Sequence, residues 1–378
     1  MPFGERRMKV LALPDFQADY GFHGLLTGLY ELEGIDVYEY PHLQSLRGGS
    51  DIGYDLPGNP GAGNTGCPSY LSPAPLPAPL HSKEEIFDTF PNFDLVVMGI
   101  RDYSRRGIDE LRQAKGVSSD RVPLVIYDAD DSDWIDRDLI SRFKPFCFFK
   151  RELTDQYPLA AYTHDYNMPI FPLPFSAFTR SFPKPEGPDR DTRYDIFLSL
   201  GRTHPSRDVL LGAFLDAVGR DHICSPERAW IATNGNSPMW QEHAYGHLLH
   251  NLLPWSEYMM AQGQSLITAS IRGFGRDALH ALEAFLCGPL VLYCEPGLHI
   301  PYPFKDEEHC VFFSEDCLNV RRLLRYFLEE HEHREMIAAQ GQQHCLDHHS
   351  AVARADYLIS ICSKLRAGEK IDPEEFGL

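Results

Sequence analysis

The sequence predicts an α/β protein built from two successive parallel-sheet domains, and three observations carry that prediction. Short apolar runs alternate with stretches of helical spacing, first over 8–174 and again over 194–365. A charged, proline-rich segment at 180–192 (RSFPKPEGPDRDT) separates the two series. The chain has 378 residues, too many for one ordinary core and comfortable for two.

The first series opens with a compact apolar run at 8–13, read as a buried strand, then helical spacing at 21–32 and a strand at 35–40. This βαβ start implies crossover helices on a parallel sheet. Residues 47–83 break the pattern with Gly and Pro, and the reading stays open between a mobile insertion and a lid or acceptor-binding loop. Alternation resumes with strands at 94–99, 123–127, 145–149 and 170–174 and a helix at 107–113. The second series has strands at 194–200, 229–233, 265–269, 289–293 and 310–313. Its helices are expected at 208–218, 255–261, 277–287, 317–331 and 334–344, with a long last helix at 352–365.

Composition narrows the class. Hydrophobic residues make up 43%, charged residues 24% and aromatic residues 12%, a balance that suits large buried cores. A net charge of −19 opposes a general nucleic-acid role, which needs a basic field along the phosphate backbone. The nine cysteines are scattered, form no CxxC pair and include Cys147 and Cys294 inside apolar runs; they read as reduced core thiols of a cytoplasmic protein. The N-terminal MPFGERRMKVLALP reads as a first strand rather than a signal peptide. No apolar stretch approaches the ~20 residues of a membrane helix.

The chemistry concentrates in the second series. Ser270 ends a strand, IRGFGRD follows, and a helix is expected from Asp277. Gly273 and Gly275 allow close approach of backbone to a ligand. The helix N-terminus offers N–H groups and partial positive charge to a phosphate, and Arg272 and Arg276 flank the turn. Asp277, His280 and Glu283, three apart, share one helix face, where a carboxylate can accept from sugar hydroxyls. An ordinary surface helix fits the same spacing. The stretch FLSLGRTHPSR places Gly201, Arg202 and Arg207 at another strand end, as phosphate contacts or as solvated first-turn arginines.

The first series offers an acceptor side. Asp15 follows the first strand and His23 opens the first helix, which makes them candidates for a general base and its orienting carboxylate. Arg101, Asp102, Asp128, Asp130, Lys150 and Arg151 all follow strand ends and are candidates for a cleft between the domains. The acids of DADDSD read as a capped helix start in preference to a metal site. The HEH and DHH groups near the end read as surface.

The order of these segments resembles a known family. GFGRDALHALEAFLCGPLVL, FKDEEHCVFF, LLRYFLEEHEHREMIAAQGQQ and HHSAVARADYL are similar to the C-terminal half of family-1-like, GT-B-fold glycosyltransferases, most of all the branch with spore-maturation (CgeB-type) proteins. YDIFLSLGRTHPSR, VIYDADDS and FFKREL resemble the same branch. The resemblance implies two Rossmann-like domains facing a central cleft. These are an acceptor-side domain over 1–180 and a donor domain over 193–351, with 352–378 returning to the first. It implies that Glu283 contacts the donor ribose or sugar, that Gly273 and Gly275 form the donor turn, and that no bound metal or other cofactor is needed. Arg272 stands where many relatives have an acid, and His280 where some have Arg, so the donor stays unnamed. The expected function is transfer of a sugar from a nucleotide diphosphate sugar to a hydroxyl acceptor of unknown class. A sugar-nucleotide epimerase or hydrolase, or a non-catalytic binding protein on the same scaffold, are the alternatives.

Overall fold

A computed structural model describes residues 7–14, 20–40, 81–116, 121–179, 191–234, 240 and 242–378. The chain divides into two compact units: Met1–Ser181 with Leu298–Tyr302 and Ser350–Leu378, and Phe182–Gly297 with Pro303–His349. Asp15 and most of the 47–83 segment lie outside the described residues, and so does the side chain of Asp102.

The first unit is built on six parallel strands: β1 (Met8–Leu13), β2 (Ile35–Glu39), β3 (Leu95–Met98), β4 (Leu124–Asp128), β5 (Cys147–Lys150) and β6 (Ile170–Pro172). They lie in the order β2-β1-β3-β4-β5-β6. LVVM of β3 and CFFK of β5 are buried throughout. Strands covered on both faces read as continuous apolar runs, which is why they were legible without alternation. Helices α1 (Tyr20–Glu31), α2 (Lys83–Thr89), α3 (Asp102–Lys115), α4 (Arg137–Phe143) and α5 (Leu159–Tyr166) flank the sheet strands in sequence. Ser82 and Glu85 form a reciprocal capping box that starts α2. Asp136 accepts from the Asp138 and Leu139 N–H groups and starts α4.

The second unit repeats the plan with β7 (Tyr194–Leu200), β8 (Ala229–Thr233), β9 (Leu249–His250), β10 (Ser265–Ser270), β11 (Leu290–Cys294) and β12 (Val311–Phe313). Their order is β12-β11-β10-β7-β8-β9, and every pair is parallel. The helices are α6 (Pro205–Gly219), α7 (Trp255–Gly263), α8 (Leu279–Cys287), α9 (Val320–Glu329) and α10 (His331–His344). Leu198, Leu210, Phe214, Ile267 and Leu292 are central to its core. The last helix, α11 (Ala351–Arg366), belongs to the first unit and is capped by Ser350, whose Oγ accepts the Ala353 N–H at 3.2 Å. No helix among the described residues is long and apolar enough to cross a membrane.

Three local expectations need correction. The helix expected from Asp277 starts at Leu279, because Ala278 is extended (φ −117°, ψ 113°). Asp277 therefore precedes the helix and does not share a helical face with His280 and Glu283. The helix expected from 317 starts at Val320, because Cys317 stands in the left-handed region at φ 58°. The DHH histidines are not all surface: a π-helical turn over Cys345–His349 carries His349 inward, where it is 1% exposed and stacks on Phe304 at 4.3 Å.

Candidate functional site

In the second sheet the chain leaves β7 toward β8 on one side and β10 toward β11 on the other. The β7–α6 and β10–α8 loops thus diverge from adjacent strand ends, at the switch point where open parallel sheets bind ligands. Gly201, Arg202 and Arg207 come from the first loop and helix. Ser270, Arg272, Gly273, Gly275, Arg276 and Asp277 come from the second.

Arg207 ties the two loops together. Its Nη1 donates to the Gly201 carbonyl at 2.9 Å and its Nε to the Arg272 carbonyl at 2.9 Å. The residue is 9% exposed, and no carboxylate pairs with it among the described residues. Burial pushes its guanidinium down to about 10, which still leaves it charged at neutral pH. A buried cation without an acid costs folding energy unless something anionic completes it.

The glycine turn sits against this guanidinium. The Gly273 N–H donates to the Gly275 carbonyl at 3.0 Å, which closes the turn and leaves Phe274 exposed at its tip. A Cβ on Gly273 would stand 2.9 Å from Arg207 Nη2 and 3.0 Å from Thr203 Oγ1. Only glycine permits that approach without displacing the arginine. No side chain caps α8, which starts at Leu279, four residues after Gly275.

The remaining candidates behave differently from one another. Arg202 is held by Asp208 in a bidentate pair, with both N···O distances 3.0 Å, and its N–H donates to Asn234 Oδ1 at 2.7 Å. Arg276 Nη1 donates to the Pro296 carbonyl at 3.3 Å. His280 Nε2 lies 2.9 Å from Ser270 Oγ. Burial, then the Arg207 charge, hold its imidazole well below the ordinary value, so it is neutral at pH 7. Glu283 accepts from the Tyr258 hydroxyl at 3.3 Å, a partner on α7 that spacing within one segment does not reveal.

In the first unit the strand-end candidates form ion pairs. Lys150 Nζ lies 2.9 Å from Asp128 Oδ2, and both groups are buried. Burial pushes the Asp128 carboxyl up, against the pull of Lys150. Arg101 pairs with Asp130. Arg151 pairs with Asp131 and, at 3.2 Å, with Glu152, and stacks over Phe175 at 4.1 Å. His23 sits in the first turn of α1 and is 1% exposed. Asp102 opens α3.

Comparison with known proteins bears on the class. Residues 214–360 match a family model described as glycosyl transferase-like. No curated protein matches the chain. Among solved structures, a glycosyltransferase from Rickettsia africae ESF-5 is 11% identical, with 95% of this chain and 99% of that chain covered and a TM-score of 0.57. Anabaena HepE in complex with UDP and glucose is 12% identical, covering 95% of this chain and 100% of its own, at 0.54. A sucrose-phosphate synthase from Thermosynechococcus elongatus is 13% identical, covering 96% and 100%, at 0.52. At these identities the likeness is one of fold. The two parallel-sheet units have the GT-B fold of those structures, and residues 214–360 are similar to glycosyl transferase-like domains.

Proposed function

We propose that the protein transfers a glycosyl group from a nucleoside-diphosphate sugar to a hydroxyl acceptor, with the donor diphosphate at the Arg207–Gly273 junction. The observation that carries this reading is the buried cation of Arg207, with no carboxylate partner among the described residues, against a glycine turn at a switch point. The crystal structure of the Anabaena protein is a complex with UDP and glucose, and a donor of that chemical class suits this site.

In the proposed reaction the acceptor oxygen forms a bond to the anomeric carbon while the bond from that carbon to the diphosphate oxygen breaks. The acceptor proton passes to a base and the nucleoside diphosphate leaves. Arg207 and the first-turn N–H groups of α8 stabilise the charge that develops on the leaving oxygen. Arginine supplies the positive charge, so we assign no metal. Glu283 accepts from ribose or sugar hydroxyls, oriented by Tyr258. On the motifs shared with it, we place the chain with the spore-maturation branch. A cytoplasmic location goes with this reading, because the eight described cysteines are free thiols, the state a reducing compartment maintains.

The direct test is calorimetry and turnover with a panel of nucleotide sugars, UDP-glucose first. Absence of binding to every member would sink the reading, and hydrolysis without any acceptor would redirect it to a hydrolase. Glu283→Ala is expected to weaken donor binding about tenfold, the loss of a charge-assisted hydrogen bond; unchanged affinity removes Glu283 from the site. We assign the base to Asp15 or His23. Asp15→Asn and His23→Asn are compared, and the base is the one whose loss lowers kcat while donor affinity stays constant.

A further inference from the structure

His204 belongs to the same loop as Arg207 and has a donor to spare. It caps α6 with its ring: Nδ1 accepts the Ser206 N–H at 3.3 Å and faces Ser206 Oγ at 2.7 Å. A nitrogen that accepts carries no proton, so the neutral ring holds its hydrogen on Nε2. Nε2 has no partner among the described residues, and the ring is half-buried. Its neighbour Thr203 and its helix-mate Arg207 are the two groups that crowd Gly273. The 201–207 loop is therefore folded against the glycine turn through Thr203 and Arg207.

We propose that His204 is a further donor-binding residue, whose Nε2–H donates to an oxygen of the donor diphosphate beside Arg207. The inference rests on the donor-site reading above. The chemistry favours an anionic acceptor: Nε2–H only donates, and the charged groups around it include Arg207 and Arg272, with Glu315 the nearby acid. Partial burial, then the charge of Arg272, lower the imidazole below its ordinary value. The ring thus stays neutral at pH 7, keeps Nδ1 free for capping and adds no further cation to a site that already buries one.

The test separates capping from binding. Asparagine is a good helix N-cap, so His204→Asn keeps an acceptor for the Ser206 N–H but is too short to reach where Nε2 stands. Full-length wild type and His204→Asn are titrated calorimetrically with UDP, GDP, ADP, CDP and dTDP, and their melting temperatures are compared. The expected result is about tenfold weaker binding of the preferred nucleotide by the variant, the loss of one hydrogen bond to a charged group, with the melting temperature retained. Equal affinity overturns the role of His204 while the donor site stands. Weaker binding together with a lowered melting temperature overturns it too, if His204→Ala, which lacks the cap, shows the same pair of losses. If wild type binds none of the five, the donor-site reading fails first and this inference with it.

Discussion

Arg207→Gln is expected to raise the dissociation constant of the preferred nucleoside diphosphate about a hundredfold, because hydrogen bonds to charged groups contribute about 1.5–3 kcal/mol and 1.4 kcal/mol is tenfold. The effect is large because the guanidinium is already stripped of water and has no acid among the described residues to neutralise it. Ligand-free stability should change little. Removing the buried charge relieves desolvation, while removing its N–H groups leaves the Gly201 and Arg272 carbonyls to share one amide. Arg207→Lys keeps the charge but not the planar fork that spans two carbonyls, so an intermediate loss is expected. The control is Arg202→Gln. Asp208 already pairs with Arg202, and that side chain is about a third exposed, so its loss should shift the constant by less than about threefold. Calorimetry on the three variants decides the matter; an Arg202 effect larger than the Arg207 effect would reverse the assignment.

That contrast also shows where sequence reading stops. Both arginines follow the strand end in GRTHPSR, and residue type and position made both candidates. What separates them is the fold of six residues, which turns Arg202 back onto the first turn of α6 and points Arg207 across to the next loop. His204 escaped notice because a histidine ring is not one of the usual caps. The strands, by contrast, were legible nearly residue by residue: Met8–Leu13, Tyr194–Leu200 and Ala229–Thr233 coincide with the apolar runs, since a parallel sheet buried on both faces leaves polar residues only at its ends. The short helices α4 and α5 were missed for the opposite reason. Seven or eight residues hold about two turns, too few for a periodicity to stand out. The capping box at Ser82 and Glu85 was a readable signal for α2, hidden at the edge of the Gly- and Pro-rich segment.

The same substitution, glycine to alanine, should have opposite signs at two helical positions. Alanine gains about 1 kcal/mol over glycine in a helix interior by propensity alone. At Gly212 in α6 nothing lies within 4 Å of the added Cβ, so Gly212→Ala is expected to stabilise by that amount. At Gly28 in α1 the added Cβ would stand 1.9 Å from the Ala351 carbonyl oxygen and 2.9 Å from the Ala355 Cβ. Both groups belong to α11, which lies in the same unit as α1. The carbonyl is backbone in the first turn of that helix and cannot rotate away as a side chain would. Either α11 moves off α1 and loosens the buried packing of Ala351, Ala355 and Leu358, or α1 shifts. Overpacking of this kind costs about 3 kcal/mol, which outweighs the propensity gain. For a unit of this size that lowers the melting temperature by about 4–8 °C after the gain is subtracted, whereas Gly212→Ala raises it by about 2–4 °C. Thermal melts of the two variants followed by circular dichroism measure both signs. A Gly28→Ala protein as stable as wild type would mean that α11 does not pack on α1 at this distance.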